Sequence, residues 1–255
     1  MYQMLPFVVQ ATEMAEMAHP LVPALSIKTF AKMAEISGAV AADPILRLRA
    51  RKALALTHRA ESALVGIVSA LEADGIRPAY LYEKEPYSGV LLYDLGMEAE
   101  AARVARSVYR TLKASGARTV LTVDPHTTFM LRHVYPRYIP GYDLHVRHYL
   151  EVLAGSDAIP VGAGKIGLPR KIVMHDSCVM TRDLGVVKPA RTVLDRLGIE
   201  VLEPENTKTD TACCGGPVEY AYAQLTRSIS CIRAEELAGI CRDVLVACPI
   251  FLINM

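Results

Sequence analysis

The sequence predicts an α/β protein of two parallel units related by internal duplication, with an N-terminal helical extension ahead of them. Three observations carry this reading. Short apolar runs alternate with stretches of helical periodicity, the pattern of strands joined by crossover helices. The order of elements over residues 56–160 returns over residues 161–255. Cys178 and Cys248 each fall just past a predicted strand, and sheets of this kind gather ligands at the carboxyl ends of their strands.

Residues 1–55 carry apolar positions at helical spacing, broken by Pro20, Pro23 and Pro44, and read as a docking arm or lid. A helix over 56–75 leads through Asp74-Gly75 to a strand at Ala79-Tyr80-Leu81-Tyr82. The loop Glu85-Pro86-Tyr87-Ser88-Gly89 follows, then a helix near 97–115 closed by Gly116. The run Thr119-Val120-Leu121-Thr122-Val123 is the next strand and ends at Asp124-Pro125-His126. Helices near 127–135 and 145–154 complete this unit, and the Gly- and Pro-rich stretch 155–169 reads as a linker. In the second unit Lys171-Ile172-Val173-Met174-His175 is a buried strand. A helix near 188–198 gives way to the strand Ile199-Glu200-Val201-Leu202. The loop Thr211-Ala212-Cys213-Cys214-Gly215-Gly216-Pro217 opens a long helix near 218–240, and Asp243-Val244-Leu245-Val246-Ala247 runs into Cys248-Pro249. The expected domains are therefore 1–55, 56–160 and 161–255, the larger two Rossmann-like. The chain stops at Met255 without the closing helix of the first unit, so a neighbouring subunit or further chain is expected to cover that end.

Composition narrows the class. Of 255 residues, 52% are hydrophobic, enough for a substantial core. With 28 Lys+Arg against 27 Asp+Glu, no basic excess points to nucleic acid. Charges interrupt every apolar stretch before it reaches spanning length, and no secretory signal opens the chain. The expected compartment is the cytoplasm, with membrane association only through partner subunits. There, six cysteines read as ligands or free thiols rather than disulfides.

Four of them form a pattern. Thirty-four residues separate Cys178 from Cys213, and 33 separate Cys214 from Cys248. An adjacent pair between two distant single cysteines differs from the paired Cys-x-x-Cys knuckles of zinc fingers and from the compact ferredoxin run. Gly215 and Gly216 let the backbone approach a bulky ligand and offer N–H groups to sulfur. Four thiolates on three loops can enclose one tetrahedral zinc or a four-iron cluster. Cys231 and Cys241 match no such position and read as core or free thiols.

The arrangement His175-Asp176-Ser177-Cys178, Cys213-Cys214-Gly215-Gly216 and Cys248-Pro249-Ile250-Phe251 resembles the cysteine-rich CCG domain family, as in the CCG-bearing subunit of heterodisulfide reductase. The resemblance covers roughly residues 56–255 and implies a first repeat that has lost its cysteines. Tyr87-Ser88-Gly89 stands where Cys-Cys-Gly would be, and Asp124-Pro125-His126-Thr127 where Cys-Pro-x-Cys would be. Phe251 takes the place of the fifth cysteine that holds a noncubane cluster in that family. The resemblance thus implies one ordinary cubane [4Fe–4S] cluster on Cys178, Cys213, Cys214 and Cys248, zinc being the alternative.

What it implies for function is an oxidoreductase subunit. It would pass electrons between a ferredoxin-like iron–sulfur or flavin subunit and a thiol, disulfide or sulfur-carrying substrate. The alternatives are a zinc-bound or metal-free structural subunit, or the electron-transfer subunit of a 2-hydroxy acid or glycerol-3-phosphate type dehydrogenase. No catalytic residue stands out. His175 and Asp176, with Gly215 and Gly216, are expected around the ligands, where they would tune the cluster or simply end a strand. Asp124 and His126 read as a satisfied polar loop, Tyr87 as filling vacated space, and Met4, Met14 and Met17 as packing or docking contacts.

Overall fold

A computed structural model describes residues 60–81, 84–162, 167–216 and 222–254. The expected extension over 1–55, with its three methionines, lies outside the described residues. Residues 60–73 form helix α1. Helices α2 (Val90–Asp94) and α3 (Glu98–Ala114) follow. Ala101, Ala105 and Val108 recur at helical spacing along α3 and are buried. Glu98 and Glu100 in its first turn and Lys113 in its last complement the helix dipole.

Strand β1 (Thr119–Thr122) pairs in parallel with β2 (His145–His148), Thr119 opposite His145 and Thr122 opposite His148. A continuous helical rod joins them: α4 (Pro125–Phe129), a π-helical turn (Met130–Val134) and α5 (Tyr135–Tyr138). Asp124 starts the rod by accepting the Thr127 N–H at 2.8 Å. Pro125 follows at the first helical position, where no N–H is needed. After β2, His148 and Glu151 form a capping box on α6 (Tyr149–Leu153).

The second sheet is three parallel strands in the order β4 (Glu200–Leu202), β3 (Lys171–His175), β5 (Val244–Val246). Helix α7 (Lys188–Arg196) crosses from β3 to β4, and α8 (Ala223–Ile240) from β4 to β5. Both faces of β3 are covered, which is why it reads as one apolar run. Ile172 and Met174 pack with Met180, Ala190, Leu194 and Ile199. Val173 turns to the opposite core, shared with Met130, Val134, Tyr135, Leu237 and Phe251. That second core joins residues of both halves into one apolar cluster.

The α/β class and most predicted elements are present, with four differences. Residues 76–81 form no strand; Ala79 and Tyr80 are exposed and pair with neither strand of the described β1–β2 sheet. Residues 145–148 are strand rather than helix, since Val146 and His148 turn inward while His145 faces out, a period of two. The helix predicted near 127–135 begins earlier, at the Asp124 cap, and runs on to Tyr138 through the π-turn. After Cys248, where the sequence reading set no helix, a short helix α9 (Pro249–Asn254) follows. Its Phe251 is fully buried, a burial that contributes roughly 2 kcal/mol. No helix among the described residues is long and apolar enough to cross a membrane.

Candidate metal centre

Parallel pairing puts His175 of β3 opposite Val246 of β5, so Cys178 and Cys248 emerge at the same sheet edge. Cys213 and Cys214 lie on the loop between β4 and α8. The four thiols act on one another: Cys213 raises Cys178, Cys213 and Cys178 raise Cys214, and Cys214 raises Cys248. Burial is the larger cause, pushing Cys214 up to about 11 and Cys248 up to about 12. Cys178 is half-buried and raised in the same direction, while Cys213 is exposed.

The loop is shaped by its glycines. Gly215 has φ +79, and a Cβ there would lie 2.9 Å from the Thr226 Cα. Its N–H donates to Cys213 Sγ at 3.2 Å, and its carbonyl accepts from Thr226 Oγ1 at 3.0 Å. At Gly216 a Cβ would fall 2.2 Å from Ile250 Cγ2 and 3.4 Å from Cys214 Sγ, so the backbone approaches both closely.

His175 and Asp176 are both held by arginines. The His175 ring stacks on Phe251, centroids 3.7 Å apart and planes at 13°. Its Nδ1 accepts from Arg233 Nε at 3.3 Å, which leaves the proton of the neutral ring on Nε2. Arg233, buried itself, also donates to Glu236 at 2.8 Å and to the Asn206 carbonyl at 2.9 Å. The Asp176 carboxylate accepts from Arg191 at 2.7 and 3.0 Å, from Thr207 Oγ1 at 3.0 Å and from the Lys208 N–H at 2.7 Å. Desolvation alone would raise this carboxyl, but Arg191, Lys208 N–H and Thr207 outweigh it and hold it below the usual range. Since the Asp176 carbonyl also accepts from Thr211 Oγ1 at 3.0 Å, this residue tethers the stretch that enters Cys213.

Burial pushes His175, and likewise His148, down to about 4 from an ordinary 6.5. The unfolded chain therefore binds protons at these sites below about 6.5 that the folded chain refuses until about 4. The metal-free protein is expected to lose stability as pH falls through that window. Thermal unfolding at pH 7 and pH 5 checks this, and equal midpoints would contradict it.

In the cysteine-free half, Tyr87-Ser88-Gly89 is satisfied by protein groups. Tyr87 OH accepts the Leu91 N–H at 2.8 Å. Tyr135 OH donates to the Ser88 carbonyl at 2.9 Å, and Thr127 Oγ1 donates to Ser88 Oγ at 3.3 Å. His126 does not stay within its own loop: its Nε2 lies 3.7 Å from Cys248 Sγ, both groups buried. The sequence reading missed this contact. The signal for it was the likeness of Asp124-Pro125 to Cys248-Pro249, which sets His126 two residues past Asp124, the residue aligned with Cys248. Cys241 donates to the Lys171 carbonyl at 3.6 Å, at the opposite end of the sheet from Cys248, and Cys231 is exposed on α8.

The donor set suits an iron–sulfur cluster. Thiols raised this far by burial stay protonated unless a cationic centre stabilises the thiolate, and two glycines leave backbone space beside the sulfurs. Among the described residues no three His, Cys, Asp or Glu side chains close on a single ion.

Residues 172–249, which contain the Cys-Cys-Gly loop and all four cysteines, match the CCG cysteine-rich domain model. Over these residues the chain is similar to the CCG cysteine-rich domain. Among its relatives, a probable membrane-anchored ferredoxin of Chromohalobacter salexigens is 29% identical over 164 residues, 62% of this chain and 24% of its own length. The EtfAB:quinone oxidoreductase of Syntrophomonas wolfei is 30% identical over 153 residues, 58% of this chain and 21% of its own. One subunit of the dihydromethanophenazine:CoB–CoM heterodisulfide reductase of Methanosarcina acetivorans is 29% identical over 157 residues, 58% of this chain and 38% of its own. The chain thus spans well under half the length of these curated relatives. No solved structure matches it.

Proposed function

We propose that the protein is an iron–sulfur redox subunit in which Cys178, Cys213, Cys214 and Cys248 hold one [4Fe–4S] cluster. What supports this reading is that Cys178 and Cys248 follow the neighbouring strands β3 and β5, that Cys213 and Cys214 act electrostatically on them, and that the Gly215 N–H donates to Cys213. When bound, such a cluster supplies one electron at a time. The chain's own residues anchor it, keep water from its buried side through Cys214 and Cys248, and set the loop geometry through Asp176. Electrons would come from a partner iron–sulfur or flavin subunit and pass to a thiol, disulfide or sulfur-carrying acceptor, or to a further carrier.

Simple relay is favoured over direct disulfide chemistry. Phe251, at the fifth cysteine's place, is fully buried against His175 and gives the centre no additional thiol. The ferredoxin and quinone oxidoreductase named among the relatives support the same emphasis. The proposal extends to an ancestral duplication, with 56–160 as a unit that has lost its own ligands. Gly89 and Gly215 share a left-handed backbone, φ +78 and +79, the first tight against Val104 of α3 and the second against Thr226 of α8. Pro125 and Pro249 each open a helix just after a parallel strand.

Anaerobic purification with iron and zinc quantification and electron paramagnetic resonance tests the reading. About four irons per chain with a reducible paramagnetic signal are expected. About eight irons would contradict a single cluster. Zinc alone, or no metal, would make the chain a structural subunit.

A further inference from the structure

We propose that His126, from the half of the chain without cysteines, is a positioning residue for the metal centre of the other half, donating an Nε2–H hydrogen bond to the Cys248 sulfur. The inference rests on the cluster assignment above but concerns a residue outside its ligand set. His126 is buried on α4, and its Nε2 is 3.7 Å from Cys248 Sγ across 122 residues of sequence. The distance is within reach of a nitrogen–sulfur hydrogen bond. The contact has structural backing on both sides. Asp124 caps α4 two residues before His126, and α4 packs against the π-turn that follows Cys178 (Val179–Asp183). Cys248 is fixed by the turn from β5 into α9.

The direction of donation follows from the chemistry of the sulfur. A ligating cysteine is a thiolate and can only accept, so the nitrogen facing it must carry the proton. A ring protonated only on Nδ1 would set a lone pair against the thiolate in a buried site. A hydrogen bond to a ligand sulfur stabilises the more negative, reduced state of a cluster and raises its potential. In this way the cysteine-free half contributes to a centre for which it supplies no ligand. The apolar core common to both halves keeps the two groups together.

The test compares parent, His126→Leu and His126→Gln proteins, each purified anaerobically. Iron content, the midpoint potential from a dye-mediated titration and the paramagnetic signal are measured on all three. His126→Leu is expected to keep its iron while its midpoint moves to more negative potential and its line shape changes. His126→Gln, which retains an N–H donor, should recover part of the shift. A Leu variant with the parent's iron, midpoint and line shape overturns the proposal. If the Leu variant loses its iron, the Gln variant decides: retained iron supports a donor role, and equal loss overturns it. Nitrogen NMR of the imidazole in metal-free protein is the second readout. It should find an Nε2 resonance that Cys248→Ser displaces, since the protonated thiol of the metal-free protein meets Nε2 in either tautomer; an Nε2 resonance that the substitution leaves unmoved overturns the contact whatever the metal analysis gives. A parent protein without iron sinks the cluster assignment, while the NMR result still decides for or against the contact.

Discussion

Replacing Cys213 by serine is expected to abolish the visible absorbance and paramagnetic signal of the iron-loaded protein and reduce its electron transfer to background, while the fold persists. The separation of effects comes from where the side chain sits. Cys213 is exposed, and its sulfur accepts one hydrogen bond, from the Gly215 N–H at 3.2 Å, which a serine oxygen can also accept. The folding cost should therefore stay within about 0.5 kcal/mol, as for most surface substitutions. What is lost is a soft thiolate donor, which a hydroxyl replaces poorly for iron. Far-ultraviolet circular dichroism and thermal unfolding of the metal-free variant report the first quantity, and absorbance with iron analysis the second. An unchanged chromophore at full iron content would remove Cys213 from the ligand set. Cys248→Ser is a poorer probe, because its buried hydroxyl would mix a folding cost with the ligand loss.

Asp176→Ala is expected to destabilise the protein by about 3 kcal/mol, the scale of removing one partner from a buried ion pair. Asp176 is 2% exposed and gathers Arg191, Thr207 and the Lys208 N–H onto one carboxylate. Its removal leaves the Lys208 N–H and the Thr207 hydroxyl without that acceptor, although Arg191 keeps its ion pair with Glu203 at 2.7 Å. The same contacts hold the stretch that delivers Cys213 and Cys214, so reduced iron occupancy should accompany the lost stability. Denaturant unfolding of the metal-free variant measures the first effect, and iron per chain the second. A stability change below about 1 kcal/mol, the size of an ordinary exposed pair, would mean that Asp176 does not act as a clamp. Acid carries its own signature: the carboxyl is held below its ordinary range, so its contribution is complete above that range and fades as pH drops through the depressed value.

Legibility in the sequence followed the range of the interactions. β3, β4, β5, α3 and α7 could be read because each depends on local periodicity and a nearby cap or glycine. The stretch 145–154 was misread because Val146 and His148 suit either a helix or a strand until β1 lies alongside. Of the strand expected at 79–82, the described residues 79–81 form none for the complementary reason, a run without a described neighbour to pair with. His175 and Asp176 were singled out from their place before Cys178, but nothing local revealed that each would meet an arginine, Arg233 and Arg191, from a helix of the second sheet.

The sequence by itself determined the proposed donor set, four cysteines with a double glycine, and the alternation of strands and helices that places Cys178 and Cys248 just past strands. Such features are written within short windows, where spacing and periodicity control the chemistry. Only the tertiary structure decided that Phe251 lies flat on His175, that Asp176 clamps the loop into Cys213, and that His126 reaches Cys248. Those contacts depend on how two parallel sheets pack across one apolar core, and no short-range rule in the chain encodes that arrangement.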